Sequence, residues 1–293
     1  MLSRKVSLQL EVILYPLLWF ASLSKEISLI FIIKKVDFMI DDLIQISKEA
    51  GELIRNNFGK AHSIEFKTNE LNLVTETDKA SEKLITDFIK KKYPKHGILA
   101  EEGSEVNKSS EYRWVVDPLD GTTNFAHGLP IFSVSIGVQK NGETIAGVVY
   151  DVMRDIIYSA EKNSGSYENE KRINVNKNEN LGHGMLVTGF PYDIRENPDK
   201  AFERFIAFLK HARGLRRLGS AAIDFCYVAN GVFDGFWEVS LHPWDLCAGK
   251  LIVEEADGLV TDFDGNPIDI FAKRILATNK VIHQKMIDVM NSI

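Results

Sequence analysis

The segment Trp114-Val-Val-Asp-Pro-Leu-Asp-Gly-Thr-Thr-Asn124 carries the strongest structural signal in the chain. Three apolar residues predict the end of a buried strand, and an aspartate follows them directly. Pro118 then fixes the backbone direction, and Asp120 and Gly121 precede two threonines. We therefore predict a strand that ends before Asp117, followed by two closely spaced carboxylates and then a helix.

Spacing alone leaves two interpretations of this segment open. Carboxylates as close as Asp117 and Asp120 repel each other unless a cation or a proton lies between them. Hard divalent cations prefer such oxygen ligands, and the N–H groups and hydroxyls of Gly121–Thr123 would form a phosphate cradle. The alternative is structural, because aspartates often cap turns and helices.

Two further acidic segments lie at the ends of predicted elements. Glu101-Glu102 follows a short strand, and Asp245 stands at the start of a predicted helix. Each is weak by itself, since adjacent acids are often solvated and an aspartate after Pro-Trp is often a helix cap. Together with Asp117 and Asp120 they indicate metal-assisted phosphoryl chemistry, because sites gather where elements end.

The elements predicted for residues 39–175 describe an α+β lobe. The helical spacing of apolar residues predicts a first helix, which Asp41 or Asp42 would cap and Gly59 would end. A second helix is predicted from about Thr77 to Tyr93. Strands are predicted at Ile98–Ala100, Tyr112–Val116, Phe132–Gln139, Thr144–Tyr150 and Asp155–Ala160.

The elements predicted for residues 176–293 describe an α/β lobe that shares an interface with the first. Helices are predicted at Asp199–His211, Ser220–Asn230 and Trp244–Ala256. Short strands are predicted at Leu186–Thr188, Gly235–Glu238 and Leu259–Asp262. The first of these helices carries an apolar face that is predicted to be core, formed by Phe202, Phe205, Ile206 and Leu209.

Composition sets limits on the class of protein. The chain has 293 residues, of which 45% are apolar and 26% charged, as in ordinary globular proteins. Its net charge of −6 argues against direct nucleic-acid binding. Cys226 and Cys247 are too few for a disulfide framework and are predicted to be buried thiols in a reducing, cytoplasmic compartment.

Residues 1–38 differ from the rest of the chain. Two apolar runs, Val12–Leu23 and Ile27–Ile33, are each shorter than the ~20 residues of a membrane span. Three interpretations stay open: translated upstream sequence before a true start at Met39, a signal or membrane anchor, and a structured extension. The functional domain is therefore predicted to be 39–293, with no membrane association unless residues 1–38 are native.

Several motifs of the chain resemble, in the same order, those of a known family. Trp114–Pro130 closely resembles the signature of the inositol monophosphatase family, and Trp244–Gly258 is similar to that family's second signature. Further family blocks match in the same order, at Asn72–Asp78, Gly189–Pro191 and Arg216–Ala222. The resemblance covers residues 39 to 293 and implies an α/β fold, a layered αβαβα sandwich. It also implies Mg²⁺-dependent hydrolysis of phosphomonoesters, often inhibited by Li⁺.

The resemblance implies a set of metal ligands. Glu101, Asp117 and the Leu119 carbonyl would hold one Mg²⁺. Asp117, Asp120 and Asp245 would hold a second ion, and a third, weaker one would lie near Glu101. A metal lowers the pKa of water and stabilises a leaving alkoxide, which suits these residue types.

The resemblance also implies substrate contacts and partners. Gly121 and Thr122 would contact the phosphate, while Glu101 and Thr122, with Asp78 behind it, would orient the attacking water. The alcohol part of the substrate would face Gly219, Ser220, Ala221 and Glu238. The expected substrate is a small phosphomonoester, foremost inositol monophosphate, and the expected assembly is a homodimer. The alternatives are fructose-1,6-bisphosphate or another sugar phosphate as substrate, and a transcription-associated protein-binding role.

Overall fold

The computed structural model describes residues 39–60, 64–67 and 72–293. The predicted extension 1–38 lies outside the described residues, so the three interpretations of it stay open. Asp42–Ile293 form one compact unit. Among the described residues, no helix is both long enough and apolar enough to cross a lipid bilayer.

Fifteen strands of the described chain form three sheets. A small hairpin pairs β1 with β2, and an eight-stranded sheet has the order β10-β9-β8-β7-β6-β5-β3-β4. A five-stranded sheet has the order β12-β11-β13-β15-β14. The strands are β1 Ile64–Phe66, β2 Leu73–Thr75, β3 Gly97–Ala100, β4 Glu105–Val106, β5 Tyr112–Asp120, β6 Ser133–Lys140, β7 Glu143–Asp151, β8 Ile156–Glu161, β9 Gly165–Glu168, β10 Lys171–Ile173, β11 Met185–Thr188, β12 Gly214–Arg216, β13 Gly235–Val239, β14 Leu259–Thr261 and β15 Arg274–Thr278.

The helices build three layers around the two large sheets. They are α1 at residues 39–57, α2 Glu76–Lys92, α3 Thr122–Ala126, α4 Ala201–His211, α5 Ala221–Ala229, α6 Pro243–Glu255 and α7 His283–Asn291. Residues 42–57 of α1 and helix α2 pack on the eight-stranded sheet, and α4 and α7 pack together beside the other sheet. Helices α5 and α6 contact strands of both sheets. The order is therefore αβαβα, and the predicted fold class is confirmed.

Helix α6 approaches the eight-stranded sheet closely because two strand residues have no side chain. A Cβ atom on Gly137 of β6 would lie 2.4 Å from Cys247 Sγ, and one on Gly147 of β7 would lie 2.9 Å from Ala248 Cα. Both cysteines are free and buried, as predicted. The small residues of β6 are buried under this helix.

Three sequence predictions were wrong in detail. Asp41 and Asp42 do not cap α1, because residues 39 and 40 are already helical. The carboxylate of Asp42 instead accepts hydrogen bonds from Lys92 and Tyr93 at the end of α2. Strand β5 does not end before the first aspartate but continues to Asp120.

The third error concerns the apolar face of α4. Phe202, Ile206 and Leu209 are 44%, 51% and 57% exposed, not core. The helix is turned so that Phe208 is buried instead, and its ring contacts Trp237. Only Phe205 of the predicted core face has an aromatic contact, with Phe190 at a centroid distance of 5.5 Å. Strand β15 and helix α7 were not predicted at all.

Candidate active site

A β-bulge in β5 brings two aspartates to the same cavity. Asp117 pairs with Ser135 of β6, but Asp120, three residues later, pairs with Ser133 only two residues away. The extra residue changes the alternation of side chains, which would otherwise place residues three apart on opposite faces. Pro118 lies within the bulge, where the ladder needs no N–H donor. Asp117 and Asp120 therefore both line one cavity of about 570 Å³.

The first turn of α5 holds one of these carboxylates. Ser220 Oγ donates to Asp120 Oδ2 at 2.5 Å, and the Ala222 N–H donates to the same oxygen at 2.8 Å. Ser220 is also the N-cap of α5, since its side chain accepts from the Ile223 N–H. A residue of the second lobe thus fixes a carboxylate of the first.

The first turn of α6 supplies the third aspartate. Asp245 is the third residue of the helix, and its Oδ2 accepts from the His242 N–H at 2.7 Å. This contact is half of a capping box in which His242 is the N-cap, so Asp245 helps to cap α6 but is not its N-cap. Asp245 lines the same cavity as Asp117 and Asp120.

Asp78 does not line the cavity but contacts Thr122, which does. Its Oδ2 accepts from the N–H and the hydroxyl of Thr75, the N-cap of α2, at 2.9 and 2.5 Å. The Thr122 hydroxyl lies 2.8 Å from Asp78 Oδ1 and 3.1 Å from the Leu119 carbonyl, and can donate to either. Helix α2 therefore orients a hydroxyl at the start of α3.

Glu101 follows β3 and lines the cavity. The Lys67 ammonium lies 2.8 Å from Glu101 Oε1 and also contacts Glu102. Burial works against the ammonium, but the two carboxylates outweigh it and raise the pKa of Lys67. Burial, followed by the charge of Glu101, raises the pKa of Glu102 to about 7. Sequence reasoning did not assign Lys67 to the site, and a lone lysine between two strands carries no signal that could have done so.

Burial and mutual repulsion perturb the three aspartates. Burial, and then the charges of Glu101 and Asp120, raises the pKa of Asp117 well above 3.8. Burial raises the pKa of Asp120 to about 6, although hydrogen bonds from α5 oppose it. Burial and the charge of Asp120 likewise raise the pKa of Asp245. The cluster therefore holds more negative charge than its surroundings compensate.

This donor set fits a hard divalent cation in its chemistry. Buried carboxylates and a backbone carbonyl are the ligands such ions prefer, and a cation would relieve the repulsion. Within the described part of the chain, however, no three Asp, Glu, His or Cys side chains are positioned to hold one ion as they stand. Protein donors hold several carboxylates instead, namely Lys67 for Glu101 and the first turn of α5 for Asp120.

The far wall of the cavity is built by α5, β13 and the loop after β11. Burial raises the pKa of Glu238, on β13, to about 8, and the charge of Arg217 opposes this shift. A Cβ atom on Gly189 would lie 2.2 Å from both carboxylate oxygens of Glu238, so the glycine makes room for them. Every predicted site residue except Asp78 lines this cavity: Glu101, Asp117, Leu119, Asp120, Gly121, Thr122, Gly219, Ser220, Ala221, Glu238 and Asp245.

Asp224 and Gly189 are two of the lining residues that the sequence analysis did not assign to the site. Asp224 lies four residues after Ser220, a helical spacing that places both on one face of α5 and could have revealed it. Gly189 directly follows β11, where element ends gather functional residues, but its family block suggested no role.

Comparison with known proteins assigns the chain to a family. The model of the "Inositol monophosphatase family" matches residues 35–293. An "Inositol-1-monophosphatase" of Synechocystis is 42% identical over 238 residues, which are 81% of this chain and 83% of that protein. A "Nus factor SuhB" of Haemophilus influenzae is 41% identical over 251 residues, 85% of this chain and 94% of that protein.

A solved structure gives the same result for the fold. The "Inositol monophosphatase from Anabaena (Nostoc)" has a TM-score of 0.80 and 38% identity, and the match covers 88% of this chain and 97% of that one. The resemblance seen in the sequence motifs is thereby confirmed. The chain belongs to the inositol monophosphatase family, a family of phosphoric monoester hydrolases.

Proposed function

We propose that the chain is a Mg²⁺-dependent phosphatase that releases phosphate from inositol monophosphate. The observation that carries the proposal is the cluster of Asp117, Asp120 and Asp245 around one cavity, in which the first two are buried and the third is half-buried. Buried carboxylates cost free energy unless a cation or protons compensate them, and phosphate esters are substrates that bring such cations. The relatives named as inositol-1-monophosphatases support inositol phosphate as the substrate.

Two groups of ligands would hold the metal ions. One is Glu101, Asp117 and the Leu119 carbonyl, and the other is Asp117, Asp120 and Asp245. When bound, Mg²⁺ supplies Lewis-acid polarisation of the phosphate, activation of water and charge compensation for the leaving oxygen.

The start of α3 would bind the phosphate. Gly121 is the N-cap of α3 in the left-handed conformation, with φ of 99°, and the first N–H groups of a helix have no partner within it. A Cβ atom on Gly121 would lie 3.0 Å from the Ile131 carbonyl and 3.2 Å from that of Gly219, so only glycine fits without strain. The backbone here is free to approach an anion.

The side chains at the cavity floor would hold the attacking water. If the Thr122 hydroxyl donates its proton to Asp78, the Thr122 oxygen is left to accept a hydrogen bond from water. Glu101, which lines the cavity, supplies a second acceptor. The reaction consumes one water for each ester and transfers a proton to the departing alcohol. Glu238, on β13, would accept a hydrogen bond from that alcohol's hydroxyls.

The test is phosphate release from inositol 1-phosphate with Mg²⁺, after metal removal with EDTA, and with Li⁺ added. We expect Mg²⁺-dependent, Li⁺-sensitive turnover, which Asp117→Asn lowers about 100-fold or more because a metal contributes several kcal/mol to the transition state. The control is Asp151→Asn, since Asp151 is equally buried and has a raised pKa but does not line the cavity. Turnover that is indifferent to EDTA and to Asp117→Asn would refute the proposal.

A second candidate function is supported by the relatives named Nus factor SuhB. Such a factor would act by binding other proteins, and this binding role would not require hydrolysis. A cellular phenotype of the deleted gene that Asp117→Asn restores, without phosphatase activity, would favour this function. The homodimer and the cytoplasmic location implied by the sequence stay predictions, which light scattering and cell fractionation would test.

A further inference from the structure

The carboxylate of Asp224 is buried at the cavity wall without a hydrogen bond to one of its oxygens. The residue is 1% exposed, and it lines the cavity together with Ser220 and Glu238. Among the residues that the structure describes, none donates a hydrogen bond to Asp224 Oδ1. A buried acceptor without a donor is rare in folded proteins and calls for a specific reason.

The position of Asp224 on α5 explains why it faces the cavity. Its N–H donates to the Ser220 carbonyl at 3.0 Å, as the first turn of the helix requires. Residues four apart lie above one another on a helix, so Asp224 stands one turn beyond Ser220. Ser220 in turn holds Asp120, which places Asp224 beyond the acidic cluster, towards Glu238.

A structural role does not account for Asp224. Asp234 is similarly buried, but it accepts hydrogen bonds at 2.8 Å from both the Asn178 side chain and the Met185 N–H. Asp224 has no comparable pair. Burial, and then the charge of Glu238, raises its pKa, and only the charge of Arg217 opposes the shift. We therefore expect the residue to destabilise the ligand-free protein, as functional groups often do.

The chemistry of this wall selects the kind of group that binds there. Asp224 and Glu238 both accept hydrogen bonds and bring no positive charge that would attract the phosphate, which has its own place at the start of α3. A carboxylic group pairs well with an alcohol hydroxyl, whether it is ionised or protonated. Two such groups at one wall suit two hydroxyls of the same molecule.

We propose that Asp224 is a specificity-determining residue that hydrogen-bonds a hydroxyl of the leaving alcohol, beside the hydroxyl that Glu238 holds. The substrate class is therefore the monophosphates of polyols with neighbouring hydroxyls, in preference to esters of alcohols that carry none. This inference rests on the proposed phosphatase function and deepens it.

The experiment compares two substrates and three variants of the full chain. Inositol 1-phosphate carries neighbouring hydroxyls, whereas p-nitrophenyl phosphate carries none. We expect Asp224→Leu to lower kcat/KM for inositol 1-phosphate about tenfold, through KM, and to change it less than about twofold for p-nitrophenyl phosphate. Asp224→Asn, which can still hydrogen-bond, should recover part of the loss. Asp151→Asn, which alters a buried carboxylate that does not line the cavity, should change kcat/KM for neither ester.

The Tm distinguishes a binding residue from a structural one. Substitution of a structural residue would lower the Tm, whereas substitution of Asp224 should raise it. Because Asp224→Leu removes a buried, incompletely bonded acid, we expect the Tm of the substrate-free protein to rise by about 2–4 °C. A lower Tm with equal losses on both esters would show a structural role and overturn the inference. Unchanged kinetics on both esters would overturn it as well. If the unmodified chain hydrolyses neither ester, the proposed function itself fails, and the inference fails with it.

Discussion

Gly189→Ala tests whether Glu238 acts from the position that the structure gives it. The added Cβ would lie 2.2 Å from both carboxylate oxygens of Glu238, and such contacts are essentially never shorter than 3.0 Å. The carboxylate must therefore retreat by about 0.8 Å, the difference between these distances. Gly189 does not have a positive φ, so alanine strains the backbone little.

The two consequences of this shift differ in size. An O–H···O hydrogen bond spans about 2.5–3.0 Å, so a retreat of 0.8 Å breaks it. Loss of a hydrogen bond that leaves its buried partner unsatisfied costs about 1–3 kcal/mol, which corresponds to a loss of roughly 5- to 150-fold in kcat/KM for inositol 1-phosphate. The protein's stability should change by less than about 1 kcal/mol, because the end of a side chain that faces a cavity moves and the alanine restricts the unfolded chain.

The assay is a cycle of kinetic measurements with Gly189→Ala, Glu238→Ala and the double variant. If the alanine acts through Glu238, it costs little more once that carboxylate is gone. Gly214→Ala is the control, since its Cβ would meet Arg216 at an ordinary 3.4 Å. Equal losses from Gly189→Ala in both backgrounds, or an unfolding free energy lowered by several kcal/mol, would refute the reasoning.

Two further predictions concern stability. Burial lowers the pKa of His283 to about 4, below the ordinary 6.5, so the unfolded chain binds its proton first as the pH falls. The stability that neutral His283 contributes is complete above pH 6.5 and is lost towards pH 4, by up to about 3 kcal/mol. Denaturant unfolding measured at several pH values should show this loss of unfolding free energy. A His283→Asn variant with the same pH dependence would contradict the assignment to His283. Gly137→Ala should lower the unfolding free energy by about 1–3 kcal/mol, because its Cβ would overlap Cys247 Sγ between β6 and α6. Thermal unfolding measures the loss, Cys247→Ala in the same chain should restore part of it, and an unchanged Tm for Gly137→Ala alone would exclude close packing of α6.

The elements around the acidic cluster could be predicted because local signals agree there. Apolar runs predicted β3 and most of β5, and the helical spacing of apolar residues predicted α2, α5 and α6 to within a few residues. The bulge between Asp117 and Asp120 had no such signal, since it depends on the register with β6. The prediction that both aspartates share a site therefore rested on the resemblance to family motifs. The two side chains face the cavity because of the pairing between β5 and β6, which is a tertiary contact.

The features that were missed share a physical cause, which is that they depend on contacts between distant segments. The apolar face of α4 is predicted as core by its periodicity, but the sheet beside it turns Phe208 inwards and leaves Ile206 exposed. Asp224 is equally ambiguous in sequence, because an aspartate in the first turn of a helix is ordinary dipole compensation. Asp234 accepts a hydrogen bond from the Met185 N–H, whereas Asp224 Oδ1 has no donor among the described residues. This difference distinguishes a binding aspartate from a structural one. Hydrogen-bond satisfaction, rather than residue type, therefore identifies the alcohol-binding wall of this site.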